Sequence, residues 1–319
     1  MCPGPDGLEP RRGWLPAQLE RLRRPGLDFD VIEYPQLIDS SAIRLEHWNA
    51  IIRDIAAGYD SYDGFVVIHG TDTMAYTASA LAFALRGLAR PVILTGSQLP
   101  LTHPRSDGWG NLADALEAAC QRDLHEVALA FDRLLLRGCR ARKLDVEAFR
   151  GFDSPNCPPL AEFAIETRWH RAHWRSAGEA WAPQTVDESA RVAAFFLTPG
   201  ASAALIGESL ASARLDGAIV LGYGCGNVPD DPALLAGVAA ASKAGCSVLT
   251  LSQAPRGGVA VGAYAASAAL ARAGAIAGAD MTPEAALAKL TLLCGYPPDA
   301  RRRALAQSLA GELTEGAAA

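Results

Sequence analysis

Gly64–Leu81 reads GFVVIHGTDTMAYTASAL: an apolar, β-branched run, then two threonines flanking an aspartate, then an alanine-rich segment with helical character. The apolar run is nearly unbroken, which predicts a strand covered on both faces, as at the centre of a parallel sheet. Open α/β sheets bind their ligands beyond the carboxyl ends of the strands. Gly70, Thr71, Asp72 and Thr73 therefore fall where a site is expected. A plainer role competes for the same residues. An oxygen of Asp72 or Thr73 can cap the helix that starts near Met74 by accepting its unpaired amide hydrogens.

The same alternation extends in both directions. FDVIEY (29–34), PVILTG (91–96) and EVALAF (126–131) read as further strands, and LEHWNAIIRDIAAGY (45–59), TASALAFALRGL (77–88) and GNLADALEAAC (110–120) as helices. Strand, helix, strand is the signature of a parallel sheet covered on both faces. A polar stretch at 172–190 interrupts it and reads as a linker. Alternation then resumes through RVAAFFLTPG (191–200), GAIVLGYG (217–224) and CSVLTLS (246–252), followed by helices to the end, one of them in the alanine-rich run 258–279. The expectation is an α/β protein of two doubly wound domains with parallel sheets, residues 1–171 and 191–319.

Composition narrows the chemistry. A chain of 319 residues, half of them hydrophobic, can bury a large core, and its net charge of -6 gives no general attraction to nucleic acid or anionic lipid. Seven scattered cysteines without a CxxC pair read as reduced thiols, which favours the cytoplasm. Neither a signal peptide nor a membrane-spanning run is visible. A small polar substrate remains.

A threonine hydroxyl is a weak nucleophile until a base removes its proton or that of the attacking water. A neighbouring carboxylate is a poor base, but a lysine held against one can serve. Lys143, in RGCRARKLDVEAF, is the one lysine before residue 172, in a region otherwise using arginine. Guanidinium does not deprotonate in proteins, so the choice of lysine points to a role that arginine cannot fill. The competing reading is a solvated surface lysine.

The eleven residues Gly64–Met74 match the second signature of the L-asparaginase family, and the chain as a whole resembles its cytoplasmic type I bacterial members. The blocks IDSS, VILTGSQLPL, RSDGWGNL, SPNCPPL, GYGCGNVP, GADMTPEAALAKL and LAGELTEG carry the resemblance from Met1 to about Glu315. It implies hydrolysis of L-asparagine to L-aspartate and ammonia, without metal or organic cofactor, in a homodimer or homotetramer. It implies Thr71, Asp72 and Lys143 as the catalytic constellation, and Asp39, Ser40 and Ser41, with Thr71 and Asp72, as the substrate-binding set. Asp72 is expected to face the substrate's ammonium group, a charge-assisted contact. The turn Thr95–Gln98 is expected to line the pocket, its amides contributing to an oxyanion site.

The chain also departs from the family pattern. Complete members acylate a threonine of an N-terminal TGGT turn, and that string occurs nowhere here. Met1 aligns with the methionine that follows the turn, so the expectation is that the first strand and the nucleophile lie upstream and that residues 1–319 alone are inactive. A non-catalytic amino acid binding protein, or an amidotransferase-related amidohydrolase, is the alternative. Leu8 stands where the family has a mobile-loop tyrosine, and Cys139 and Arg142 replace residues that are commonly Asn and Thr. RWHRAHWR (168–175) mixes aromatic and basic residues but reads as a solvated face in an acidic chain. Cys225, in GYGCGN, is a nucleophile only with a histidine beside it.

Overall fold

The computed structural model describes residues 2–4, 7–9, 11–176, 178, 180–259 and 265–314. It is a mixed α/β protein with parallel sheets in two units. In the first, β1 (Phe65–Ile68), β2 (Val92–Thr95) and β3 (Val127–Phe131) lie side by side in parallel register. β4 (Leu134–Arg137) folds back antiparallel on β3 through Asp132 and Arg133, both at positive φ, a two-residue turn whose twist suits a hairpin. A separate hairpin follows, β5 (Arg142–Lys143) against β6 (Phe152–Asp153). β7 (Ala161–Glu162) and β8 (Arg168–Trp169) then extend the main sheet, antiparallel, to give the order β8-β7-β4-β3-β2-β1.

Side chains alternate across this sheet as the pleat requires. Val92, Leu94, Val127 and Leu129 face the layer that holds α1 (Leu45–Gly58) and α2 (Met74–Ala84), while Ile93, Ala128 and Ala130 face α3 (Gly108–Ala119). Three sequence expectations fail here. β1 is not central: among the described residues it pairs only with β2, its residues are half-buried, and Ile68 is 39% exposed. FDVIEY is not a strand, because among the described residues it has no ladder partner; it is anchored by side chains instead, Tyr62 donating to Asp30 at 2.6 Å and Gly13 N to Glu33 at 2.8 Å. The helix expected through Leu88 stops at Ala84, since Gly87 adopts a left-handed φ of 70°. A Cβ there would lie 2.1 Å from the Ala180 carbonyl oxygen, so only glycine allows the approach.

That approach belongs to the segment 172–190, which runs along the first unit. Ala182–Pro183 pairs with Leu85–Arg86, and Trp181 stacks on Tyr59 with ring centroids 3.7 Å apart. The buried Asn49 side-chain amide exchanges a pair of hydrogen bonds with the Val186 backbone, at 2.9 and 2.8 Å, and donates a third to Glu188 at 2.9 Å. A buried amide needs such partners, so these bonds tie the segment to α1.

The second unit is a four-stranded parallel sheet in the order β9 (Val192–Phe196), β10 (Gly217–Gly222), β11 (Ser247–Ser252), β12 (Ile276–Ala277). The last strand interrupts what reads in sequence as helices to the end. Of the alanine-rich run, α6 (Ala265–Arg272) is helical; residues 260–264 lie outside the described residues. α4 (Ser202–Ser212) and α5 (Pro232–Lys243) cover one face. α7 (Pro283–Leu293) covers the other, packs on α2 of the first unit, and is followed by α8 (Pro298–Ala306). No described helix is long and apolar enough to cross a membrane.

α4 and α5 touch backbone to backbone through Gly207 and Gly237. A Cβ on Gly237 would sit 2.2 Å from the Gly207 carbonyl oxygen. Backbone cannot swing aside as a side chain can, so Gly237→Ala forces the helices apart. It is expected to cost about 1–3 kcal/mol, and a lowered melting temperature is the readout. An unchanged melting temperature would show that this helix pair is loosely packed.

Candidate active site

Two loops emerge side by side from the carboxyl ends of β1 and β2: the turn Gly70–Thr73, which leads into α2, and the turn Gly96–Gln98. They are in close contact, because a Cβ on Gly96 would meet the His69 carbonyl oxygen at 2.2 Å. Into this edge reaches Lys143 from β5. Its Nζ donates to Thr71 Oγ1 at 2.8 Å and to Asp72 Oδ1 at 2.7 Å. The lysine side chain is 19% exposed and the aspartate 60%, so the ammonium is sheltered while the carboxylate faces outward. The three residues expected to work together are therefore in direct contact.

The capping alternative does not describe this turn. α2 begins at Met74, yet neither Asp72 nor Thr73 caps it through its side chain. The Thr73 hydroxyl donates instead to the Ser40 carbonyl at 2.7 Å. Ser40 is buried against Gly70, where an added Cβ would fall 2.5 Å from Ser40 Oγ. The IDSS loop is thus docked on the Thr71 turn, and this tie was missed in sequence, where Thr73 looks like an ordinary N-cap. Asp39 and Ser41 are exposed and bonded to each other: the Ser41 amide and hydroxyl donate to Asp39 Oδ1 at 2.9 and 3.0 Å.

A further set of bonds holds the neighbouring turn and the lysine loop. Asp107 accepts from the amides of Gln98 and Leu99, each at 3.0 Å, and from Asn111 Nδ2 at 3.0 Å. The Gln98 amide is therefore already engaged, which removes it from the expected oxyanion donors. The Gln98 side chain donates to the carbonyls of Asp145 and Ala148, at 3.2 and 2.9 Å, and so clamps the loop that follows Lys143. Arg142 points away from Lys143, as alternation along a strand requires, and pairs with Glu284 of α7 at 3.2 Å.

Other candidates resolve into structural contacts. Trp169 and Trp174 pack edge to face at 5.9 Å, with Arg171 over Trp174 and His170 bonded to Glu162. The side-chain partner of Cys225 Sγ is Asn227 Nδ2 at 3.8 Å, rather than a histidine. Leu8 lies in a short antiparallel hairpin, opposite Pro3.

Comparison with known proteins follows the two units. Residues 15–175 match the model of the family described as Asparaginase, N-terminal, and residues 191–304 that of the Glutaminase/Asparaginase C-terminal domain. The chain is 43% identical over 314 residues to L-asparaginase 1 of Escherichia coli (strain K12), covering 97% of this chain and 93% of that one. A component of the Glutamyl-tRNA(Gln) amidotransferase of Pyrococcus furiosus is more distant, at 34% over 291 residues, covering 87% of this chain and 65% of that protein. Among solved structures, L-asparaginase I from Vibrio cholerae O1 biovar eltor str. N16961 superimposes with a TM-score of 0.89 at 42% identity, covering 96% and 94% of the respective chains.

Proposed function

Because the chain belongs to the asparaginase family, we propose that it hydrolyses the side-chain amide of L-asparagine to L-aspartate and ammonia. The observation that carries the reading is Lys143 Nζ held between Thr71 Oγ1 and Asp72 Oδ1 at the carboxyl end of β1. In this reading Asp72 fixes the lysine and, through its outward face, attracts the substrate's ammonium group. Lys143 in its neutral form takes the proton from Thr71 or from a water that Thr71 orients. Ser40, with Asp39 and Ser41, borders the amino acid end of the substrate.

The free thiols at Cys120, Cys139, Cys157, Cys225, Cys246 and Cys294 suit a reducing compartment, and we place the protein in the cytoplasm as a homodimer or homotetramer. No Thr-Gly-Gly-Thr string occurs in residues 1–319, so an acylating threonine of that type is not assigned among them. The test is ammonia release from L-asparagine by the natural protein. Release is expected from the wild type, with a steep loss in Lys143→Met; no release from the wild type would overturn the reading.

A further inference from the structure

Behind the Thr71 turn lies a row of hydrogen bonds with one possible direction. Trp48 Nε1 is a donor only, and it gives its hydrogen to Thr77 Oγ1 at 3.1 Å. Thr77 Oγ1 lies 3.0 Å from His69 Nε2, and His69 Nδ1 lies 2.7 Å from the Gly70 carbonyl oxygen. A carbonyl only accepts, so Nδ1 carries the proton; Nε2 in the neutral ring must then accept, and the Thr77 hydroxyl donates to it. Burial pushes the His69 pKa down, against a smaller upward pull from the Gly70 carbonyl, which favours this neutral form. Thr77 is fully buried and Trp48 nearly so, so water does not compete at the start of the row. The His69 backbone is fixed as well, its amide donating to the Thr95 carbonyl at 2.8 Å.

We propose that His69 is a positioning residue: kept as the Nδ1–H tautomer by Trp48 and Thr77, it holds the Gly70 carbonyl and so sets the Gly70–Thr71 peptide that aims the Thr71 hydroxyl at Lys143. The role rests on the asparaginase reading only for its effect on turnover. The tautomer and the geometry of the turn are independent of it. Reversing the ring's polarity would place Nδ1, now an acceptor, against the Gly70 oxygen and release that peptide.

Nitrogen-15 spectra of the six histidines separate the two tautomers, and backbone amide spectra report the turn. In the wild-type chain His69 is expected as Nδ1–H. Thr77→Val removes the donor to Nε2. It is expected to admit the Nε2–H tautomer, to shift the amide signals of Thr71 and Asp72, and to lower kcat for L-asparagine at least about tenfold with little change in KM. Thr77→Ser keeps the hydroxyl and is expected to restore all three. Since Thr77→Val also leaves Trp48 Nε1 without a partner, Trp48→Phe/Thr77→Val supplies a folded form in which the same changes are read. An Nε2–H tautomer in the wild type, or a tautomer change that leaves the Thr71 and Asp72 signals in place, would overturn the proposal. If the wild type releases no ammonia, the asparaginase reading fails by itself and the spectra still decide the role of His69.

Discussion

Replacing Lys143 by methionine is expected to lower kcat for L-asparagine by roughly a hundred- to ten-thousandfold in the form of the protein that turns it over, with KM much less affected. The lysine meets the first condition on a general base, reach: its Nζ is 2.8 Å from the Thr71 hydroxyl. It is also sheltered, while the more exposed Asp72 carboxylate holds it from the outside. Lys143→Arg is the sharper experiment. Arginine keeps the positive charge and the bond to Asp72, but guanidinium does not release a proton at working pH. If the role is proton transfer, arginine fails nearly as badly as methionine. If arginine restores most of the turnover, Lys143 acts as a fixed charge and the base must be sought elsewhere.

That such a residue can be picked from sequence has a physical reason. The strand, the turn and the start of α2 are contiguous, so their chemistry is written within one stretch, and Lys143 stands out as the only lysine before residue 172. The pairing of Lys143 with a turn some seventy residues earlier followed from what a threonine hydroxyl needs and from family resemblance. Contacts lacking such a chemical demand were not legible. Nothing in GSQ announces that Gln98 holds the carbonyls of Asp145 and Ala148, nor in TASAL that Thr77 orients a histidine eight residues back. FDVIEY fails for a related reason: an apolar, extended pattern reports the ability to pair, while a strand needs a partner that the pattern does not name. The expectation for β1 errs likewise, since its composition suits a central strand and its described neighbours leave it at an edge.

Glu312→Ala is expected to remove about 3–5 kcal/mol of stability near neutral pH, a large share of the roughly 5–15 kcal/mol typical of a folded protein. Glu312 and Lys289 form an ion pair at 2.6 Å with both side chains fully buried. Glu312 also accepts the amides of Leu309 and Ala310, and Lys289 donates to the carbonyls of Leu305 and Gln307. The substitution strands an ammonium group inside the protein and orphans two amides. The adjacent residues tie the end of the described chain to the first unit: Arg140 donates to the Gly311 carbonyl at 2.7 Å and to Asp280 at 2.9 Å, and Thr314 to Asp280 at 2.6 Å. Since Arg140 lies three residues before Lys143, activity should fall along with stability. The pH dependence identifies the cause. Burial already pushes the Lys289 pKa down, with Glu312 pulling it back up. Without Glu312 it falls further below the unfolded value of about 10.4, so between the two the unfolded chain binds more protons and stability rises with pH. The melting deficit of Glu312→Ala should therefore narrow from pH 7 towards pH 10. Adding Lys289→Met should recover part of it at pH 7 and abolish the narrowing, leaving the cost of the two orphaned amides. A deficit that is constant with pH and unaffected by Lys289→Met would mean that the carboxylate matters only as an acceptor for Leu309 and Ala310.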